Sequence, residues 1–213
     1  MTDFTADCIA RLKRVSTATI TTQLFKRGLR NCFIQGVRPL GVLGGNMVGP
    51  AYTLRNIPSR EDLDHVGVFA DPEHPQRKAV ENAPAGRVLV MDCRGDTRAA
   101  SGGEILMTRL TIRGAAGVVS DGGMRDAAAI GRMALPVYCA GPSAPLNLAR
   151  HHAVDIDVPI ACGGVPVYPG DMVVGDADGV VVIPAHLADE IADEAVEMTV
   201  FEDFVTEKVR EGW

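Results

Sequence analysis

The run Asp121-Gly122-Gly123-Met124-Arg125-Asp126 follows a strand-like GVVS segment, and Ser101-Gly102-Gly103-Glu104 stands shortly before it, where a helix begins. Arginine presents a planar fork that matches a carboxylate through two hydrogen bonds. One aspartate among waters suits a hard divalent cation such as Mg2+. Glycines and a first helical turn offer unpaired N–H groups and the positive end of the helix dipole. Together these groups can hold a small 2-oxo acid, with Asp126 on the cation, Arg125 on the carboxylate, and Gly102 and Gly103 supplying amides. A plainer account stands beside this one. Asp126 caps the following helix, Arg125 pairs with Asp121 or Asp126, and Glu104 completes a capping box with Ser101. That account gives no reason for an arginine beside two glycines. Under the functional account Glu104 orients a water at the cation.

Other polar residues carry weaker signals. His151-His152 is an adjacent pair of the kind found at or near surfaces, and His65 and His74 fall in an irregular stretch where they could meet a substrate. Asp62, Asp64 and Asp71 read as loop solvation, and Asp176 and Asp178 as turn formers. No serine or cysteine elbow and no P-loop is present, and GVLGG at 41–45 lacks the dinucleotide fingerprint.

The elements that must position these groups follow from pattern. Residues 4–28 read as one or two helices, with Ser16-Thr17 capping the second, Ile20, Leu24 and Phe25 inward, and Gly28 ending it. FIQGVRPL and MVGPAYTL are short strands. The stretch from Arg55 is polar and proline-rich and reads as a long loop, ordered by Leu63, Val66, Val68 and Phe69. RVLVMDC is a strand, ILMTRLTIR a helix ended by Gly114, AGVVS a strand, DGGMRD a turn, AAAIGRM a short helix and LPVYC a strand. This alternation is α/β logic. From Val154 the chain turns to strands and hairpin turns. A long amphipathic helix at 185–209 closes it, with Leu187, Ile191, Ala195, Met198 and Val205 on one face.

Composition bounds the function classes. With 213 residues, 46% of them apolar, the chain can bury a sizeable core, and the net charge of −6 opposes a nucleic-acid surface. Its five scattered cysteines show no CxxC, which predicts reduced thiols in a cytoplasmic protein and no zinc site. The N-terminal residues lack the apolar stretch of a signal peptide, and no run reaches membrane-span length, so no membrane partner is expected.

AGVVSDGGMRD, preceded by SGGEILMTRL and followed by PGDMVVGDADGVVVIP, resembles the RraA-like family, and the likeness runs from STATI at 16–20 to the last helix. That family includes class II 4-hydroxy-4-methyl-2-oxoglutarate/4-carboxy-4-hydroxy-2-oxoadipate aldolases and regulators that inhibit ribonuclease E. The resemblance implies an α/β fold of swivelling-domain type βαβ layers, one domain over 1–213, assembled as a homotrimer or hexamer with intersubunit sites. It implies a metal-dependent lyase that releases pyruvate from a 4-hydroxy-2-oxo acid, with oxaloacetate decarboxylation alongside. Arg125 then binds the pyruvoyl part and Asp126 anchors Mg2+ or Mn2+. Gly103-Glu104-Ile105-Leu106 supplies amides and an acid near a bound water. Glu202, with Glu197 as the alternative, enters from the neighbouring subunit's late helix.

This chain departs from the family in three places. Glu104 stands where aspartate is frequent. Thr21-Thr22-Gln23-Leu24 replaces S-D-A-L. The 55–78 loop is longer, as in a subgroup also described as demethylmenaquinone methyltransferase-like, although no glycine-rich cofactor loop supports methyl transfer. Arg55, Arg60 and Arg77 in that loop could read a further carboxylate or hydroxyls. Two other functions share the scaffold: a non-catalytic regulator that binds a ribonuclease, and a sugar-acid lyase or dehydratase using the same metal site.

Overall fold

Unbroken apolar runs become the centre of the sheet, because strands covered on both faces need no polar side. In the computed structural model, which describes residues 4–213, the β4 strand (Val88–Asp92) and the β5 strand (Gly117–Met124) are buried at every position. They pair in parallel with each other, with β3 (Met47–Pro58) on one side and with β6 (Val137–Pro142) on the other. The short β1 (Phe33–Ile34) and β2 (Arg38–Pro39), with β7 (His151–Ile156), β10 (Met172–Gly175) and β11 (Val180–Ile183), complete a nine-stranded sheet among the described residues. Its order is β1-β11-β10-β3-β4-β5-β6-β2, and β7 also pairs with β3. β8 (Ile160–Cys162) and β9 (Val165–Val167) form a separate hairpin. β3 serves two partners in turn along one edge, β10 over residues 47–50 and β7 over 54–58, with a register shift between Arg55 and Asn56. A strand shared this way curls the sheet, since a bulge bends and twists its strand.

Three apolar clusters cover the sheet. Leu54, Leu89, Met91, Met107 and Leu110 pack β3 and β4 against α4 (Glu104–Ile112), with Ala79 and Val80 of α3 (Pro75–Asn82) in the same cluster. Val90, Val119, Tyr138 and Val173 fill a second. In the third, α1 (Ala6–Leu12), α2 (Thr17–Lys26) and the start of α6 (Ala188–Arg210) pack on β10 and β11 through Leu12, Ile20, Leu24, Val174 and Ile191. Each such fully buried side chain contributes about 1.5–3 kcal/mol of transfer free energy. α5 (Ala127–Ile130) is a single turn. All five cysteines are unpaired.

The N-terminal reading holds in part. Ser16 caps α2 by accepting the Thr19 N–H, and Gly28 ends that segment at φ +80. Ile20 and Leu24 are inward, but Phe25 is 62% exposed, on the solvent side of the same helix. Asp176 is more than a turn former. Its carboxylate accepts from the N–H and hydroxyl of Thr17 at 2.7 and 2.8 Å, tying the β10–β11 turn to the start of α2. The last helix buries Ile191 and Ala195, as its pattern predicts, but Val205 is exposed.

Two expectations need correction. The segment from Arg55 is not a long loop: Arg55–Pro58 belongs to β3, Val66–Ala70 is a 3-10 turn, and α3 begins at Pro75. α3 buries only Gln76, Ala79 and Val80, too short a stripe to register as periodicity. Pro75 at its first position was the readable signal. Nor does the chain turn at Asp121, because β5 continues through Met124 with a register shift against β6 between Ser120 and Gly123. The two glycines serve close packing rather than a ligand. A Cβ at Gly122 would lie 2.7 Å from Cys93 Cβ, and one at Gly123 2.4 Å from Ser143 Cβ. Asp121 is buried and accepts from the N–H groups of Cys93, Gly95 and Gly163, so it is not the partner of Arg125.

Candidate active site

In open α/β sheets, ligands gather beyond the carboxyl ends of parallel strands. Here β4 leads to Ser101-Gly102-Gly103 and α4, and β5 leads directly to Arg125-Asp126. Ser101 N–H and hydroxyl both donate to Gly123 O, and Arg125 N–H donates to Gly102 O, so the two segments lie side by side.

Asp126 has the left-handed conformation, φ 57 and ψ 32, and makes no side-chain cap on its own helix. This conformation is tolerated by aspartate and, away from glycine, is a feature of functional sites. Its carboxylate caps the neighbouring helix instead. Asp126 Oδ2 accepts the Glu104 N–H at 3.1 Å and lies 3.5 Å from Arg125 Nε. Oδ1 has no partner among the described residues and remains open to a cation. Gly103, in extended backbone, is required by space rather than by conformation. A Cβ there would lie 2.7 Å from Asp126 Oδ2 and 2.8 Å from Arg125 Cγ. The expected capping box does not form, because Gly103 is the N-cap and the Ser101 hydroxyl is spent on Gly123. The Ile105 and Leu106 amides, in the first turn of α4, have no backbone acceptor among the described residues.

These groups open on a cleft of about 530 Å3. Gly102, Gly103, Arg125 and Asp126 form one end, and Ile105, Leu106 and Arg109 of α4 form one wall. Gln76, Arg77, Val80 and Glu81 of α3 form another, with Phe69 of the preceding 3-10 turn beside them. The α3 wall is fixed by a buried polar link. Gln76 Nε2 donates to Ser101 O at 2.7 Å, and Asn147 Nδ2 donates to Gln76 Oε1 at 2.8 Å. Further along, Arg109 Nε and Nη2 donate to the Glu81 carboxylate at 2.7–3.2 Å, which holds Glu81 below the usual carboxylate range. Nothing in the local pattern marks Phe69, Gln76 or Asn147 as site residues: Gln76 lies on α3, Phe69 on the 3-10 turn before it, and Asn147 on a separate 3-10 turn at 147–149.

Of the residues singled out from sequence, Gly102, Gly103, Ile105, Leu106, Arg125 and Asp126 converge. The Glu104 side chain is exposed outside the cleft lining, and only its N–H takes part. Glu202 lies on α6 and accepts from the Thr19 hydroxyl at 2.8 Å, away from its own chain's cleft, and Glu197 is exposed on the same helix. Arg77 lines the cleft, whereas Arg55 pairs with Asp155 and Arg60 with Asp62. His74 is buried edge-on against Phe69, and burial pushes its pKa down. His151 is buried too, with its pKa lowered for the same reason. Asp64 is not loop solvation: its side chain is buried and pairs with His152 Nδ1 at 2.7 Å. Among the described residues no group of three His, Cys, Asp or Glu side chains could enclose a metal ion.

A family model described as RraA-like, Aldolase/RraA, matches residues 17–182. The chain belongs to the RraA-like family. A relative from Halalkalibacterium halodurans, provisionally named a 4-hydroxy-4-methyl-2-oxoglutarate aldolase, is 33% identical over 189 residues, covering 89% of this RraA-like chain and 82% of its own. A crystal structure of Streptomyces coelicolor RraAS2, described as an unusual member of the RNase ES inhibitor RraA protein family, is 33% identical and superposes with a TM-score of 0.83 over 97% of this chain and 98% of that one. An uncharacterized Pseudomonas syringae protein shares the RraA-like fold with a TM-score of 0.87 at 23% identity, over 100% of this chain and 92% of its own. Among the described residues no helix is long and apolar enough to cross a membrane.

Proposed function

We propose that this RraA-like protein is a divalent-metal-dependent carbon–carbon lyase that cleaves a 4-hydroxy-2-oxo acid and releases pyruvate, with oxaloacetate decarboxylation as a side activity. One observation carries the reading: Arg125, the open carboxylate oxygen of Asp126 and the free amides of Ile105 and Leu106 share one cleft. Asp126 would hold Mg2+ or Mn2+ through Oδ1. When bound, the cation supplies Lewis-acid polarisation of the 2-oxo group. Arg125 and the start of α4 grip the substrate carboxylate and so fix the C3–C4 bond in the cleft.

Cleavage sends the C3–C4 electron pair towards the C2 keto oxygen. The C4 hydroxyl gives up its proton and becomes the carbonyl of the second product, and protonation of C3 completes pyruvate. Arg125 and the α4 amides stabilise the negative charge that develops on the pyruvate half, a contribution that grows where water is excluded. Loss of CO2 from oxaloacetate develops the same charge in the same place. Glu104 contributes its amide rather than its carboxylate. Within the chain's own cleft Glu81 is engaged with Arg109, and Asp126, whose Oδ2 caps α4, keeps Oδ1 for the cation. The base for the C4 hydroxyl therefore comes from elsewhere. The distal half of α6, which carries Glu202, leaves Phe201 and Phe204 more than half exposed. An apolar helix face of that kind fits burial against a second copy. A homotrimer or hexamer that seats this segment beside a neighbouring cleft would deliver Glu202.

The test is pyruvate release from a panel of 4-hydroxy-2-oxo acids, with and without EDTA. Release that stops with EDTA and returns with excess Mg2+ or Mn2+ is expected. No release with any metal, together with inhibition of a ribonuclease, would replace the lyase with the regulator that the Streptomyces relative favours. Metal-dependent products other than pyruvate from sugar acids would move the assignment to a sugar-acid lyase or dehydratase.

A further inference from the structure

The chain between β3 and α3 is fastened to the rest of the protein by few groups. None of its apolar residues from Ser59 to Glu73 is buried. Among the described residues, the backbone hydrogen bonds of residues 60–73 all close within 60–74. A segment with neither core contacts nor a place in the sheet opens at low free-energy cost, and the covers of binding sites are drawn from such segments. Side chains tie this one down instead. Asp64 Oδ2 closes a turn by accepting the Arg60 N–H at 2.7 Å. Its Oδ1 meets His152 Nδ1 of β7 at 2.7 Å, and the Asp64 side chain is only 1% exposed. From α3, Arg77 Nη1 donates to Phe69 O and Ala70 O at 3.1 and 3.4 Å, and Lys78 pairs with Glu73 at 2.8 Å. The Phe69 ring lines the cleft and meets the His74 ring edge-on, with centroids 5.3 Å apart.

We infer that residues 59–73 form a lid beside the α3 wall of the cleft, and that the Asp64–His152 pair is its latch. This rests on the reading of the cleft as the 2-oxo acid site. The Arg77, Lys78 and His74 contacts bind the second half of the segment to the helix that follows it. Asp64–His152 joins the first half to the sheet, between residues 88 positions apart in the chain. Closed, the lid keeps Phe69 in the cleft lining, while His74 Nδ1 stays buried with no partner among the described residues. An unsatisfied buried nitrogen opposes the closed state, and opening returns it to water. The charged hydrogen bond at Asp64 offsets that cost, so losing it shifts the segment towards the open state.

Hydrogen–deuterium exchange read by mass spectrometry tests this on the full chain, for the intact protein and for the His152→Phe and Asp64→Asn variants. Peptides covering 59–73 should exchange faster in His152→Phe by about tenfold or more, the range of one charged hydrogen bond. Asp64→Asn retains an acceptor for the Arg60 N–H and should show a smaller increase in the same peptides. Peptides from β4 and β5 should exchange as in the intact protein. Saturating pyruvate with Mg2+ should slow exchange over 59–73 in the intact protein, with calorimetry as the independent record of binding. Unchanged exchange over 59–73 in both variants, or an increase shared equally by β4 and β5, overturns the latch. Pyruvate that binds without slowing 59–73 overturns the lid and leaves the cleft reading intact. If pyruvate with Mg2+ does not bind at all, the 2-oxo acid reading falls, and the lid falls with it.

Discussion

Arg125→Ala is expected to lower kcat/KM for pyruvate release by about 10²–10³-fold, the cost of removing a preorganised donor aimed at developing charge. The folded state should barely change. The Arg125 side chain is 43% exposed, and its ion-pair contact with Asp126 is 3.5 Å long. Exposed pairs of this kind contribute about 0–1 kcal/mol. Arg125→Lys should recover only part of the loss, because an ammonium cannot make the planar two-point contact. Both KM and kcat should suffer, since the same guanidinium holds the carboxylate and the charge that forms beside it. Steady-state kinetics with a melting curve for each variant makes the comparison. Wild-type kinetics in Arg125→Ala would remove the arginine from the mechanism.

Gly103→Ala should be nearly as damaging, although it adds one methyl group and deletes no functional atom. The backbone there is extended, with φ −145 and ψ −176, which alanine adopts freely. The obstacle is the approach of the new Cβ to Asp126 Oδ2 at 2.7 Å and Arg125 Cγ at 2.8 Å. Both contacts are shorter than carbon tolerates, so the Arg125-Asp126 segment must move. A displacement of about 1 Å at a reacting centre can cost about 10²-fold in rate. Both side chains are part-exposed and can swing outward, so the melting temperature should fall far less than the activity. Gly102→Ala is the internal control, because its Cβ would meet only flexible side chains, Met107 at 3.0 Å, Met124 at 3.4 Å and Leu106 at 3.9 Å. Full activity in Gly103→Ala would mean that the cap from Asp126 to α4 has no part in positioning the site.

The sequence reveals the Arg125-Asp126 end of the candidate cleft better than its walls. Arg125 and Asp126 are legible because they follow a strand that opens on an apolar run, and strand ends in α/β folds are where chemistry gathers. The role of the glycines is only half legible. Gly103 makes room for Asp126, whereas Gly122 and Gly123 make room for Cys93 and Ser143, and residue type alone does not separate these tasks. Glu104 misleads because Ser101-x-x-Glu104 matches a capping box, while the acid that caps α4 is Asp126, far along the chain. α3 is concealed because it buries few residues, and with it went Gln76 and the cleft wall around Arg77. Contacts such as Thr19 to Glu202 and Thr17 to Asp176 join distant segments and leave no trace in local pattern.

Under the proposed function Asp126 seats a divalent cation beside Arg125. Mn2+ titration followed by electron paramagnetic resonance tests it directly, on the intact protein and on Asp126→Asn, with and without pyruvate. The intact protein should take up one Mn2+ per chain and change its spectrum when pyruvate is added, whereas Asp126→Asn should lose the tight site. Equal Mn2+ binding by both proteins, or a spectrum indifferent to pyruvate, would contradict the account.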